Sequence, residues 1–173
     1  MLLTLLALSL AQKPNATELQ MAAFQAARTG DADKLKEAFA TGYSVNEANA
    51  RGDTLLTVAA YNGQPKAVAV ILKQPKVDVE AKNKLGLTAM AAAAFKGHAD
   101  VIEQLTEAKA DPNTANDAGQ TPLMFAAQAD KVKAVEALLK AGAKKDAKDK
   151  EGNTALSLAK KAKADDVVKV LEK

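Results

Sequence analysis

The 173-residue chain has no cysteine and no tryptophan, a single histidine, and only 3% aromatic residues. Each absence closes a class of chemistry. Without thiols there is no disulfide framework, cysteine nucleophile or iron–sulfur cluster, and one imidazole falls short of the usual zinc ligand sets. No metal and no cofactor is expected. Arg28 and Arg51 are the only arginines, and no basic stripe is interleaved with stacking aromatics, so nucleic acid is not an expected partner. Large rings normally fill the centre of a compact globule. Here 48% of residues are hydrophobic, mostly alanine and aliphatic, a composition suited to thin layers of small side chains. Charged residues at 26% with a net charge of +3 argue against disorder.

Long apolar runs are also scarce. The one present, Leu2 to Leu10, is followed by Ala11 and Gln12, and Ser9 and Ala11 place small residues at −3 and −1 of a cleavage site. This reads as a secretory signal peptide over 1–11; an N-terminal apolar cap helix or a mis-set start codon is the alternative. The run is about half the roughly 20 residues a bilayer span requires, so stable membrane insertion is not expected. A linker over 12–16 and one domain over 17–173 follow, in a protein expected to be periplasmic or secreted.

What the chain has in abundance is self-similarity. Gly52-Asp53-Thr54, Gly86-Leu87-Thr88, Gly119-Gln120-Thr121 and Gly152-Asn153-Thr154 share one frame, with glycines 34, 33 and 33 residues apart. A second frame, Gly30, Gly63 and Gly97, continues as Asp130 and Lys163. Asn49, Asn83, Asn116 and Asp149 precede the first glycines by three, the pattern of a type I turn at a hairpin tip. The threonines then cap short alanine-rich helices, with Pro122 at a first helical position. Second helices follow with apolar residues at helical spacing: Val68 and Ile71, Val101 and Leu105, Val135 and Leu138, Val167 and Leu171. The expected repeats are 17–46, 47–80, 81–113, 114–146 and 147–173.

The period, the Gly-x-Thr-Pro-Leu stretch at Gly119 to Leu123, the paired alanines, Gly97-His98 and Ala110-Asp111-Pro112-Asn113 resemble the ankyrin repeat family. The resemblance implies an all-α solenoid of about five helix-turn-helix repeats with β-hairpin tips. It also implies a non-enzymatic module that binds another protein through a concave face built from tips and first helices. Small exported bacterial ankyrin proteins that the chain resembles include self-protection inhibitors of cell-wall peptidases and supports for a stress-response catalase. An enzyme inhibitor of the periplasm, acting as a monomer, is the reading this implies. A stabilising scaffold is its rival, and an intracellular regulator is the reading should 1–11 not be a leader.

On the expected concave side the first helices place Gln25, Arg28, Val58, Tyr61, Asn62, Phe95, Lys96, Phe125, Gln128 and Lys161, and the tips place Arg51, Lys84, Leu85, Leu87, Asp117 and Gln120. Three of the six aromatics, Tyr61, Phe95 and Phe125, fall in this set as candidate interface anchors; packing between first helices is the plainer role for them. Phe24, Phe39 and Tyr43 belong to the first repeat as cap packing. From Lys131 onward 12 lysines face 7 acids, an excess that either steers an acidic partner or solvates a terminal repeat. His98 is expected to be structural, and Asp165-Asp166 are adjacent on a helix and face apart, so no catalytic constellation is present.

Overall fold

The computed structural model describes residues 15–173; the leader expected over 1–11 and the first part of the expected linker lie outside the described residues. Five antiparallel helix pairs are stacked side by side. The inner helices are α1 (Ala16–Thr29), α3 (Leu55–Tyr61), α5 (Ala89–Lys96), α7 (Pro122–Gln128) and α9 (Ala155–Ala162). Their outer partners are α2 (Ala32–Ala40), α4 (Pro65–Leu72), α6 (Ala99–Glu107), α8 (Val132–Lys140) and α10 (Asp165–Glu172). Inner helices pack on inner and outer on outer along the stack, which is the layered solenoid the 33-residue period implies. α1 begins at Ala16, where Asn15 accepts from the Glu18 amide at 2.9 Å and Glu18 reaches back to the Asn15 amide at 3.1 Å.

Local chemistry sets each turn. The Asn49 side chain accepts from the amides of Arg51 (2.8 Å) and Asp53 (3.1 Å), and the Gly52 amide bonds the Asn49 carbonyl at 2.8 Å. Asn83, Asn116 and Asp149 repeat that arrangement. The tips are hairpins at minimum length: each has one closing backbone bond, such as Asn49 to Asp53 at 3.0 Å, and no strand forms among the described residues. Thr54, Thr88 and Thr154 cap their helices through the side chain, each accepting at 3.2 Å. Thr121 departs from that expectation. Pro122 follows it, the Met124 amide bonds the Thr121 carbonyl instead at 3.0 Å, and the buried Thr121 hydroxyl has no partner.

The core is continuous along the stack. Ala59, Ala60, Ala93, Ala94, Ala126, Ala127 and Ala159 are fully buried between inner helices, and Val68, Ile71, Ile102, Leu105, Leu138 and Val167 are buried from the outer row. Each large aliphatic contributes about 1.5–3 kcal/mol of burial. Phe24 and Tyr43 are buried in the first repeat, with Phe39 partly covered. Burial, aided by the Glu47 carboxylate, pushes the Tyr43 hydroxyl up to about 12.

The second glycine frame has a steric explanation. Gly63 closes α3 in the left-handed region (φ 61°), and a β-carbon there would collide with the His98 imidazole of the next repeat. His98 Nε2 lies 3.2 Å from the Tyr61 carbonyl, so the ring donates to the end of α3, the structural role expected of it. Where the next repeat presents Ala164 at the same register, Asp130 is accommodated at φ 53°. Lys163, on which no helix pair is stacked among the described residues, takes φ 58°. The glycine is therefore kept where a large neighbouring side chain folds back onto it.

Gly63→Ala should lower the unfolding free energy by about 2 kcal/mol from the left-handed backbone and the collision combined. In the His98→Ala background the loss should shrink, because only the backbone part remains. Urea unfolding of the four proteins measures this; equal losses in both backgrounds would contradict the steric explanation.

Candidate functional site

The inner helices and tips of the first three repeats enclose an open groove of about 630 Å³. Its floor is made by the buried Thr57, Val58 and Ala92, and its sides by Arg28, Arg51, Tyr61, Asn62, Lys84, Leu85 and Leu87. α3, with sequence LLTVAAY, carries no charge, which leaves the floor apolar. Tyr61 is 44% exposed, Phe95 46% and Leu85 74%. These are large apolar side chains left in water on a protein with few such groups. The fourth exposed one among the described residues, Met21, lies on α1. Lys96 Nζ sits 5.2 Å from the centre of the Tyr61 ring, a cation–π contact worth about 0.5–1 kcal/mol at an exposed site.

A buried carboxylate ties the first two tips together. Asp53 accepts from Arg51 Nε at 3.0 Å and Asn49 Nδ2 at 3.3 Å within its own tip, and from Asn83 Nδ2 of the next tip at 2.7 Å. The Lys84 amide adds a bond to the Arg51 carbonyl at 3.0 Å. Charge-assisted bonds of this kind are stronger than neutral ones, so the groove's rim is preformed.

Of the sixteen concave positions expected from sequence, eight line the groove: Arg28, Arg51, Val58, Tyr61, Asn62, Lys84, Leu85 and Leu87. Val58 does so from a buried position, and Asn62 donates its amide to the Val58 carbonyl at 2.8 Å, closing α3. Phe95 and Lys96 stand beside the groove on the exposed end of α5. Gln25 is exposed on α1, Gln128 is exposed on α7 and Phe125 is half-buried there. At the third tip Asp117 is exposed, while Gln120 accepts from Asn116 at 3.1 Å. Lys161 donates to Asn153 at 2.6 Å and braces the fourth tip. Sequence reasoning passed over Thr57 and Asn83 as groove residues and read Asp53 only as a tip residue. One signal was available for Asp53: Leu87, Gln120 and Asn153 hold the same register, so it alone is acidic there.

Among the described residues no three His, Asp or Glu side chains are grouped as metal ligands, and no helix is long and apolar enough to cross a membrane. Residues 21–116 and 108–173 match the family of ankyrin repeats. The chain belongs to the ankyrin repeat family, whose members are in general non-enzymatic protein-interaction modules. It is also 40% identical over 57 residues to alpha-latrocrustotoxin-Lt1a of Latrodectus tredecimguttatus, a match covering 33% of this chain and 4% of that protein.

Asp53→Ala should destabilise the protein by about 1–3 kcal/mol, since it leaves the Asn83 amide and Arg51 without their acceptor; an unchanged urea midpoint would show that the tips are held otherwise. Asp149 yields a pH prediction. Hydrogen bonds from the Asn153 side chain, then from the Asn153 and Glu151 amides, hold its carboxyl below the ordinary 3.8. Its contribution to stability is full above 3.8 and is lost as pH falls through the lower folded value. Asp149→Asn should flatten the stability profile in that acid window, measured by thermal unfolding across pH.

Proposed function

We propose that the protein is an exported binding module that seats part of a periplasmic enzyme in the groove and inhibits it, a cell-wall peptidase being the favoured target and self-protection the purpose. The observation that carries the binding part is the gathering of Tyr61, Leu85 and Phe95, exposed, around a preformed groove in a chain with six aromatic residues. Exposed apolar groups at one concave place are the usual form of an interaction site, and rings dominate binding energy once buried by a partner. Ordering costs are small because the tips are already tied. The export part rests on the sequence of residues 1–11 and the inhibitory part on the likeness to small exported ankyrin proteins.

Tyr61→Ala and Leu85→Ala should each weaken affinity for a partner captured from the envelope fraction by about tenfold or more, with the urea midpoint unchanged. Titrating purified protein into the peptidase should lower its turnover. Unchanged turnover together with slower thermal inactivation of the captured enzyme would replace inhibition by the scaffold reading, with a catalase as the enzyme to examine first. N-terminal sequencing of the mature protein checks export: a first residue at Gln12 is the expected result.

A further inference from the structure

We propose that the occupant of the groove is an extended acidic segment of polypeptide that carries one bulky aliphatic or aromatic side chain. This rests on the reading of the groove as the partner-binding site and specifies the chemistry of what enters it. The charge that the groove leaves without a buried partner is of one sign. Arg28, Arg51 and Lys84 border it, and Lys96 stands over Tyr61 at its side. The single acid in the lining, Asp53, is buried and already bonded to Arg51, Asn49 and Asn83. Among the described residues Arg28, Lys84 and Lys96 have no ion-pair partner. Arg51 is held through Nε alone, and its side chain is 75% exposed. Its terminal amino groups are left to face a ligand carboxylate in a fixed orientation, the geometry arginine uses for such groups.

The sorting of charge extends over the whole stack. The five inner helices carry four bases and one acid, Glu18, which is engaged at the start of α1. The five outer helices carry six bases and nine acids. An acidic partner is thereby attracted to the concave side and repelled from the convex one, which speeds and orients encounter. The apolar floor separates a polypeptide from a simple polyanion. Val58, Leu85 and the face of the Tyr61 ring offer a phosphate chain nothing, whereas they take a leucine or phenylalanine side chain out of water. Three repeats at roughly 10 Å helix spacing span about 20 Å, the length of about six extended residues.

The test is a selection of random displayed peptides of about ten residues, long enough for that span, on the full chain. Recovered peptides should be rich in Asp and Glu around one large apolar residue. Their affinity should fall at least about tenfold in Arg28→Glu/Lys84→Glu and in Leu85→Ala, and should weaken as salt is raised from about 0.05 to about 0.5 M. Neither basic side chain is in an ion pair, and an unchanged urea midpoint establishes that each variant is folded. Neutral or basic peptides that still depend on Tyr61 and Leu85 would overturn the acidic chemistry and leave the groove as the site. Peptides indifferent to every groove variant, or no enrichment at all, would overturn both. Binding of polyphosphate with the affinity of the peptides would also overturn the proposal, by showing that charge alone is read.

Discussion

The close approach of neighbouring inner helices is the constraint on which the rest of the molecule depends. A helix pair of this length has too little apolar surface to fold alone, and its buried face is complete only when the next pair lies against it. Paired alanines permit that approach, because a helix whose facing side chains are single methyl groups can lie close to its neighbour. With Ala59, Ala60, Ala93, Ala94, Ala126 and Ala127 fully buried, the layers are thin and contain no ring. The few rings are then left to the first repeat and the concave face, while the large aliphatics lie in the outer row and, as Leu55, Leu56, Met90, Leu123 and Met124, in the first turns of the inner helices.

Close stacking demands register, and polar side chains supply it at positions one repeat apart. Asn46 bonds the Lys76 carbonyl (2.7 Å) and the Asp78 amide (2.8 Å); Asn113 bonds the Gly142 carbonyl (3.3 Å) and the Lys144 amide (2.9 Å). Between them Glu80 does the same work with a carboxylate, accepting from the Asp111 amide and the Thr114 hydroxyl, both at 2.7 Å. Each side chain belongs to one repeat and bonds backbone or hydroxyl groups of the next, so a shift along the stack would break these bonds together. The tip glycines add a steric limit: a β-carbon at Gly52 would stand 3.0 Å from the Lys84 amide nitrogen. Alanine layers draw the repeats together, and these bonds and gaps decide where they stop.

Local rules made the fold legible. The Asx-x-x-Gly turns, the threonine caps and the apolar spacing of the outer helices each act within a few residues, and one period repeats them, so errors at one repeat are corrected by the others. Thr121 shows where a local rule fails, since Pro122 tightens the first turn and removes the geometry the cap needs. The concave positions were legible as a set, because the period alone says which way they face. Which eight of them close into a groove was not, because that depends on Asp53 reaching Asn83 across 30 residues. Asx at the tip explains its own turn so fully that nothing local marks it as a partner for the neighbouring tip.

The groove lies on the tied junction of the first two tips and borders the junction of the tip row that is least closed. A backbone bond joins the first tip to the second, Lys84 to Arg51 at 3.0 Å, and another joins the third to the fourth, Lys150 to Ala118 at 2.9 Å. Among the described residues no such bond joins the second tip to the third, and Leu85, which occupies the acceptor position there, is the most exposed large apolar residue. At the same register where Asp53 ties the first junction, the third repeat has Leu87, which has no carboxylate to offer Asn116. With that tie absent, Leu85 is exposed and Leu87 half-buried beside an apolar floor, while Arg51 of the preceding junction remains held by Asp53. In a repeat protein stability is shared along the stack, so one junction can give up a polar tie without unfolding its neighbours, and the side chains released by that omission become available to a partner.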